Sequence, residues 1–529
     1  MTSLVLLGSL TPVIVILAFS IPVTKVFKAK RAPFVIAFIG VVYAAIASTF
    51  VFYEVYTSGR PLVYTYGGWP PHFGIDYEVD YFNALLGMFT AWTMLVIVIY
   101  SHWYGHHLDE PVWYYTLLLG LEAGMLGCLY TGDAFNLFVM LEVLGISAYG
   151  LVAYHKDKGE AVEAAAKYAL IGAVATVLYF VAVVILYAGY GSVNMAVLAL
   201  MAKQIAIAGS SIVYLTLFAL ALAVWVFTYK SAVFPNHFWL PDAHPEAPTP
   251  VSAALSGLVV NVGLYACARF LYTIFGRGSL ATPYREAVLF TLFVLGTVSG
   301  IVGALMMMVQ RDIKRLLAYS TISHMGIALM GLSAGFIGGA EAVALAIAGA
   351  TIHIVAHGIA KALLFMASGV LIDAAGSRDL DEMRGIGRYY PLTSVALIMG
   401  FLSLGGFIPF IGFYSKLYIA LGYLEAGFVL GPILIIVISA ISLLGYFKAI
   451  SALVFSVGGE PKQKVEKRWV EILLLAMALA LLVLGIVINI TWPVYASASA
   501  ALAPDGVDTY IVGALEKNTW TISFLGGRP

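Results

Sequence analysis

The amino-acid sequence predicts an all-α polytopic membrane protein, and three observations lead to that fold class. Hydrophobic residues make up 62% of the 529 residues and charged residues only 11%, whereas soluble domains carry about 25% charged residues. Apolar stretches of twenty or more residues, long enough to cross a bilayer as a helix, recur along the whole chain. Basic residues, finally, concentrate in alternate loops between these stretches.

Fourteen membrane-spanning helices, spans 1 to 14, are predicted in chain order. The first lacks the basic start and cleavage site of a signal peptide, so we expect it to be retained. Pro235 and Pro409 fall within spans 7 and 12 and predict that both helices are broken. We expect the tail after Trp492 to lie on the surface. The spans cover residues 3–25, 33–53, 83–102, 114–131, 135–154, 164–189, 211–240, 250–275, 288–309, 316–337, 340–372, 391–424, 429–457 and 469–491.

The loops between the spans predict the orientation of the chain. Those after spans 1, 5, 9, 11 and 13 hold eighteen Lys and Arg residues, and those on the other side hold six. The positive-inside rule therefore predicts that both termini lie on the outer face. The eighteen are Lys25, Lys28, Lys30, Arg31, Lys156, Lys158, Lys167, Arg311, Lys314, Arg315, Arg378, Arg384, Arg388, Lys448, Lys462, Lys464, Lys467 and Arg468; the six are Arg60, Lys203, Arg277, Arg285, Lys517 and Arg528.

Several ionisable residues fall inside the predicted spans. A charge at the bilayer centre costs roughly 2.5–3.5 kcal/mol even on the lenient insertion scales. Arg269 lies near the end of span 8, where we expect its long side chain to reach the surface. The others are candidates for ion transfer: Glu122, Glu142, Lys230, His324, His353, His357, Lys361 and Lys416.

The residue types suit proton transfer. A buried lysine beside a carboxylate can be switched between holding and releasing a proton, and histidine can pass protons on near neutral pH. His353, His357 and Lys361 recur at every fourth residue and are predicted to share one helix face. Two alternatives stay open: buried ion pairs that lock helices together, and a metal site at the two histidines, although no third ligand stands near in sequence.

The helix breaks predict where water can reach these groups. Pro235 follows Lys230 by five residues, and Pro409 precedes Lys416. A break frees backbone groups, which is tolerable at membrane depth only where protein or water satisfies them. A lysine beside a break therefore predicts a hydrated proton site. The histidines of "HWYGHH" (102–107), in contrast, are predicted to form a solvated face.

Five motifs, which occur in the same order, resemble those of the antiporter-like proton-pumping family. That family includes the large membrane subunits of respiratory complex I, the D-type subunit of Mrp Na+/H+ antiporters, and equivalent subunits of membrane-bound hydrogenases and sulfane reductases. "GGWPPHFGIDYEVD" (67–80) and "DAFNLFVMLE" favour the Mrp and hydrogenase branch. The motifs are "GDAFNLFVMLEVLGISAYGLVAY" (132–154), "FTYKSAVFPNHFWLPDAHPEAPTPVSAALSG" (227–257), "RDIKRLLAYSTISHMGIALMGL" (311–332), "IHIVAHGIAKALLFMASG" (352–369) and "GGFIPFIGFYSK" (405–416).

The resemblance implies a fourteen-helix core with two inverted five-helix repeats, spans 4–8 and 9–13. This divides the chain into residues 1–110, repeats at 111–275 and 288–457, and a last helix and tail at 458–529. It also implies that Glu142 pairs with Lys230, that His324, His353 and His357 form a central polar axis, and that Lys416 is the exit-side group.

This chain departs from the family at one point. Many members carry a lysine where this chain has Asn261, and a histidine near Ser256. An amide cannot change its charge, so we expect water, hydroxyl and amide groups to carry the link between Lys230 and the histidines, or the path to differ.

The function predicted is that of an ion-translocating subunit of a multisubunit complex, moving H+ with Na+ coupling left open. Its expected partners are other membrane subunits, with either a redox module or an Mrp-type assembly, in a prokaryotic plasma membrane. We expect no catalytic site, cofactor or resident metal in this chain, and a net charge of zero gives no sign of nucleic-acid binding. A self-sufficient Na+/H+ antiporter is the alternative.

Overall fold

The computed structural model describes residues 2–208, 212–279, 282–462 and 468–516. Within these ranges, thirteen helices are long and apolar enough to cross a membrane. The predicted fold class, an all-α polytopic membrane protein, is confirmed. Lys464, Lys467, Lys517 and Arg528, which entered the orientation count, lie outside the described residues.

The first part of the chain combines three long helices with the one sheet in the described ranges. Two short antiparallel strands pair Leu62 with Val79. Asp80 then begins the third helix, because its carboxylate accepts the backbone N–H groups of Phe82 and Asn83. The elements are α1 (Thr2–Ser20), α2 (Ala32–Ser58), β1 (Leu62–Thr65), β2 (Asp76–Val79) and α3 (Tyr81–Tyr104).

The next elements end in a helix that faces no lipid. Two π-helical stretches extend α10 and α11 into a continuous segment, Thr249–Ile274, which we call the interface helix. Every residue of this helix is buried within the protein. The elements are α4 (Pro111–Tyr130), α5 (Ala134–Val152), α6 (Gly159–Tyr190), α7 (Met195–Ala208), α8 (Ile212–Lys230), α9 (Leu240–Glu246), α10 (Thr249–Ala254) and α11 (Val260–Ala268).

The remaining helices complete the bundle. The longest, α14, packs against α13, α16 and the α10 end of the interface helix. The elements are α12 (Thr282–Val309), α13 (Ile313–Leu332), α14 (Ala340–Ala375), α15 (Pro391–Gly405), α16 (Ile411–Glu425), α17 (Leu430–Ile450), α18 (Arg468–Ile486), α19 (Ile488–Ala500) and α20 (Pro504–Glu516).

Both predicted helix breaks are confirmed, and they end their helices in the same way. After α8 the chain enters a left-handed residue, Ala232 (φ 51°), and after α15 it enters Gly406 (φ 85°). In each case the following N–H reaches back five residues, from Val233 to Thr228 and from Phe407 to Leu402. This is the cap that ends helices at a left-handed residue. Predicted span 12 is therefore the pair α15 and α16, which explains thirteen full-length helices in place of fourteen.

Ion pairs between loops show which loops share a face. Arg378 contacts Glu246 at 3.1 Å and Asp312 at 3.2 Å, whereas Lys203 contacts Asp508 at 2.5 Å. We call the face with loops 105–110, 153–158, 242–248, 310–312 and 376–390 the basic face. The face with loops 59–80, 131–133 and 191–194 and with α20 is the opposite face.

The tail after Trp492, as far as Glu516, packs one face onto the bundle and leaves the other face exposed. Helix α19 packs against α14 and α3, and α20 packs against α7. Val507 and Tyr510 of α20 are buried. The tail helix α20 is amphipathic, so it buries one apolar stripe and leaves its polar side exposed.

Candidate functional site

Buried side chains from α13, α14, α16 and α17 form a direct hydrogen-bonded chain. Nδ1 of His324 lies 3.1 Å from Nε2 of His353, and Nε2 of His324 lies 2.8 Å from the Tyr446 hydroxyl. Nδ1 of His353 lies 2.9 Å from the Ser415 hydroxyl, and Tyr446 is 2.7 Å from Ser320. Imidazoles and hydroxyls both donate and accept, so each group can release one proton while taking another. We call these five residues the histidine chain.

His357 and Lys361 continue along the same face of α14, in the arrangement that their spacing predicts. The His357 ring centre is 5.6 Å from that of His324 and 6.4 Å from that of His353. Lys361 Nζ donates to the Leu317 carbonyl at 3.0 Å. Within the described ranges, neither ring nitrogen of His357 has a hydrogen-bond partner.

Two buried basic residues that the sequence analysis did not single out as sites extend this row toward the basic face. His244 is fully buried, and its ring stacks on Phe365 at 4.7 Å. Lys314, which the orientation count treated as a loop residue, is 4% exposed and donates to the Ala247 carbonyl at 2.8 Å. His244 had a signal, since it lies within a family motif. Lys314 lies within a family motif too, but its position in a basic loop led it to be counted for orientation, and its partner comes from a distant loop.

Lys416 lies at the second helix break, next to the end of the histidine chain. Its Nζ donates to the Leu404 carbonyl at 2.7 Å. Leu404 is in the last turn of α15, where the carbonyls have no partner within the helix. The charge of Lys416 acts on His324 and His353, so the ammonium lies near the histidine chain while it satisfies the broken helix.

Lys230 is the last residue of α8 and lies between aromatic rings. Its Nζ is 5.9 Å from the Tyr149 ring centre and 6.0 Å from that of Tyr229. The charge of Glu142 acts on it, but no ion pair of 4 Å or less joins the two among the described residues. Glu142 is half-buried. The Trp239 indole donates to the Tyr229 carbonyl at 3.1 Å.

Glu122 is a buried carboxyl group without a hydrogen-bond partner in the described residues. It lies on α4 and is fully buried. In the part of the chain that the structure describes, neither carboxyl oxygen has a hydrogen-bond partner. A buried polar group without a partner costs about 1–3 kcal/mol, so packing alone is a poor reason for this residue.

The interface helix connects the two lysine regions. Its α11 part contacts α8 and α13, and its α10 part contacts α14. Gly263 leaves no room for a Cβ against the Phe227 carbonyl of α8. A Cβ on Gly257 would lie 2.8 Å from the Gly358 carbonyl of α14. Glycine at these two positions therefore permits close packing toward both sides.

Asn261 lies on this interface helix between the two glycines. Its amide donates to the Gly257 carbonyl at 2.7 Å. Its side-chain oxygen is buried and has no hydrogen-bond partner among the described residues. One turn before it, Ser256 lies 2.6 Å from the Thr321 hydroxyl, so polar groups do cross toward α13 here.

Arg269 does not reach the surface, and that expectation was wrong. It is fully buried, and its guanidinium holds both oxygens of Asp80 at 2.6 Å. A bidentate contact between a guanidinium and a carboxylate is strong and has a defined geometry. Asp80 lies 189 residues away in sequence, so the pairing could not be read from span 8 alone.

Other carboxyls are buried near Asp80 on the opposite face. Burial raises the pKa of Asp76 to about 7, with help from the charge of Asp133. Burial also raises the pKa of Asp133 to about 7, against hydrogen bonds from the Asn136 and Phe135 backbone. For Glu78, burial raises the pKa well above its usual range, although Arg269 opposes this shift.

Comparison with known proteins places this architecture in a family. Residues 131–445 match the family described as "NADH:quinone oxidoreductase/Mrp antiporter, TM". NADH-quinone oxidoreductase subunit N of Desulforudis audaxviator is 34% identical over 82% of this chain and 81% of its own length. The D-type Na+/H+ antiporter subunit of Alkalihalophilus pseudofirmus is 30% identical over 88% of this chain and 89% of its own.

A solved structure agrees with these relatives. A chain of the membrane-bound sulfane sulfur reductase, an archaeal respiratory membrane complex, superimposes with a TM-score of 0.85 at 28% identity, over 96% of this chain and 99% of that one. The family match covers both helix breaks, the interface helix and the histidine chain as far as Ser415. On the family match and these relatives, the chain belongs to the transmembrane NADH:quinone oxidoreductase/Mrp antiporter family.

Proposed function

We propose that this chain is an ion-translocating, antiporter-like membrane subunit that moves H+ through buried Glu, Lys and His residues. The observation that carries the proposal is the histidine chain. Its members are fully or almost fully buried and are linked by hydrogen bonds of 2.7–3.1 Å. Ionisable groups at membrane depth are costly and mark ion pathways.

In the second half, protons move along α14 and leave through Lys416. Lys314 and His244 lie toward the basic face, and Lys361 follows them along the row. The histidine chain then passes the proton by alternate release and uptake. Lys416 is the exit-side group, loaded from the histidine chain and emptied to the other side.

In the first half, Glu142 and Lys230 act as a pair. The carboxylate attracts the charged ammonium, and the apolar surroundings oppose it, so a small change in either releases the proton. Glu122 lies one helix away, on α4, and belongs to the same half. Pro235 follows the break at Ala232, and the proposed path requires water to reach Lys230 at this break.

The link between the halves crosses Asn261. The amide cannot carry charge, so bound water must carry the proton from Lys230 past Asn261 to the histidine chain. The buried, unpartnered oxygen of Asn261 supports this among the described residues, because it can accept a hydrogen bond from such a water.

The two breaks suggest the repeat organisation. Both breaks combine a left-handed residue with a proline three positions later, at Ala232 with Pro235 and at Gly406 with Pro409. This supports inverted repeats at 111–275 and 288–457, flanked by residues 1–110 and 458–529. The basic residues support both termini on the outer face of a prokaryotic plasma membrane.

The partners proposed are other membrane subunits, since the three relatives are named as subunits or parts of complexes. Purification from the native membrane, followed by identification of the copurifying chains, tests this. Iron–sulfur proteins would indicate a redox-driven complex, and antiporter subunits alone an Mrp-type assembly. A chain that purifies alone and exchanges Na+ for H+ would support the self-sufficient antiporter instead.

Reconstitution in vesicles with a pH-sensitive dye inside tests the transport itself. The assembly is given a Na+ gradient or, where a redox module copurifies, its electron donor. We expect a pH change that a protonophore abolishes. An intact assembly that moves no protons under either condition would contradict the proposed function.

A further inference from the structure

Two adjacent histidines and an aspartate meet at the basic face, outside the row of residues that the proposed function uses. His106 and His107 follow the end of α3, and Asp373 lies in the last turn of α14. Nε2 of His107 lies 3.0 Å from Oδ1 of Asp373, and Nε2 of His106 lies 3.4 Å from Oδ2. One ligand atom from each residue lies within 4.8 Å of the other two.

The position of the proton on His106 is set by a backbone carbonyl. Nδ1 of His106 is 2.8 Å from the Trp103 carbonyl oxygen. A carbonyl can only accept, so Nδ1 carries the hydrogen and Nε2 of the neutral ring presents a lone pair to Asp373. An outer hydrogen bond of this kind orients histidines that bind metals.

The three residues can share one metal ion through their donor atoms. An ion between them would accept the Nε2 lone pairs of the two histidines, and the Asp373 carboxylate would offset part of its charge. Lys158, Lys314 and Arg378 line the adjoining cavity of about 380 Å³. Their charge opposes a cation here, so the site depends on the carboxylate of Asp373.

We propose that His106, His107 and Asp373 bind one divalent transition-metal ion of the Zn2+ type. Two imidazoles and one carboxylate are a ligand set that Zn2+ takes, with solvent in the remaining position. The two histidine side chains are 47% and 36% exposed, so an ion can reach them from the basic face. The ion joins the end of α3 to α14, the helix that carries His353, His357 and Lys361.

Metal binding by the full-length protein, purified in its assembly, tests this proposal and needs no transport assay. The protein is stripped with EDTA and titrated with Zn2+ against a fluorescent chelator at pH 7.5; Co2+ then reports the ligand field by its visible spectrum. We expect one site per chain. His106→Ala and Asp373→Asn should each weaken Zn2+ binding at least about tenfold, as loss of a supporting group already costs 10–100-fold.

His155→Ala is the matched control, because His155 lines the same cavity but is not one of the three ligands. Its affinity for Zn2+ should equal that of the wild type. A cooperative thermal unfolding transition in EDTA shows that a variant is folded. If a variant does not fold, His107→Gln is tested in its place. No site in the wild type, or unchanged affinity in folded His106→Ala and Asp373→Asn, would overturn the proposal.

Discussion

The two lysines at the two helix breaks have different surroundings. Each break leaves helix carbonyls that need a donor. At the second break Lys416 is itself that donor, to Leu404. At the first break Trp239 donates to Tyr229 instead, and Lys230 makes no hydrogen bond to any described residue.

This difference predicts how a proton reaches each lysine. Lys416 is tied to the backbone, and its charge acts on His324 and His353 at one end of a continuous hydrogen-bonded chain of side chains. Lys230 lies near two aromatic rings and within the influence of the Glu142 charge, and it makes no hydrogen bond or ion pair within the described ranges. We therefore expect the first half to depend on water and the second to depend on particular side chains.

Lys416→Met should have the largest effect in the second half. Methionine keeps the length of the side chain but cannot titrate, so proton transport in vesicles should be lost in the assembled complex. Lys448→Met is the matched control, since Lys448 also donates to helix-end carbonyls, those of Met308 and Gln310, without touching the histidine chain. Equal loss in both variants would mean that Lys416 only caps a helix.

Lys416→Glu sharpens the same comparison. A carboxyl group titrates, so it should keep part of the transport that methionine loses, although its ionised form cannot donate to Leu404. The initial rate of dye response in vesicles measures this. Near-normal and equal rates for Lys416→Glu and Lys416→Met would contradict a titrating role.

Asn261→Leu tests whether the halves are joined through water. Leucine replaces the buried polar side chain of the interface helix with an apolar one. Water then has no polar partner at this position, so transport between the halves should be impaired. Asn261→Lys should be tolerated, because the family resemblance implies a lysine at this position. Transport is measured in the assembled complex. If Asn261→Leu is silent and a high-resolution map shows packed side chains here, the halves work separately.

Tyr446→Phe should have a smaller effect on transport. It removes the hydrogen bond to His324, together with the one to Ser320, and leaves the ring in place. A lost hydrogen bond of about 1 kcal/mol slows a step about fivefold. Tyr423→Phe is the control, since its hydroxyl is also buried but donates to the Met330 carbonyl. A normal rate in Tyr446→Phe would remove Tyr446 from the path.

Asp76→Asn should change stability alone. The pKa of Asp76 is about 7 in the folded protein and 3.8 without burial, so the folded state binds more protons between these values. Stability therefore falls as pH rises from about 4 to about 7 and then levels off. Asparagine removes this loss, so the variant should melt higher than the wild type at pH 8 and equally at pH 4. A constant difference in melting temperature across that range would contradict the shifted pKa.

The sequence alone predicted the fold class, the membrane spans and both helix breaks, but not the contacts between distant side chains. Apolar length predicted the spans and the prolines located both breaks, since these are local properties. Tyr446 carried no signal, and Ser415 had only its place in a family motif. A lone tyrosine or serine in an apolar helix is common, and their partners lie 122 and 62 residues away. Arg269 was misjudged for the same reason, as its partner Asp80 comes from another part of the chain.

Lys230→Ala in the assembled complex tests the central claim most directly, because the Lys230 ammonium makes no hydrogen bond to a described residue that alanine would remove. Proton translocation in vesicles is compared with that of the wild type and of Lys203→Ala, a lysine on the opposite face that pairs with Asp508. We predict that Lys230→Ala assembles but translocates no protons, and that Lys230→Arg also fails since arginine keeps its proton. Unchanged translocation by a fully assembled Lys230→Ala complex would contradict the account.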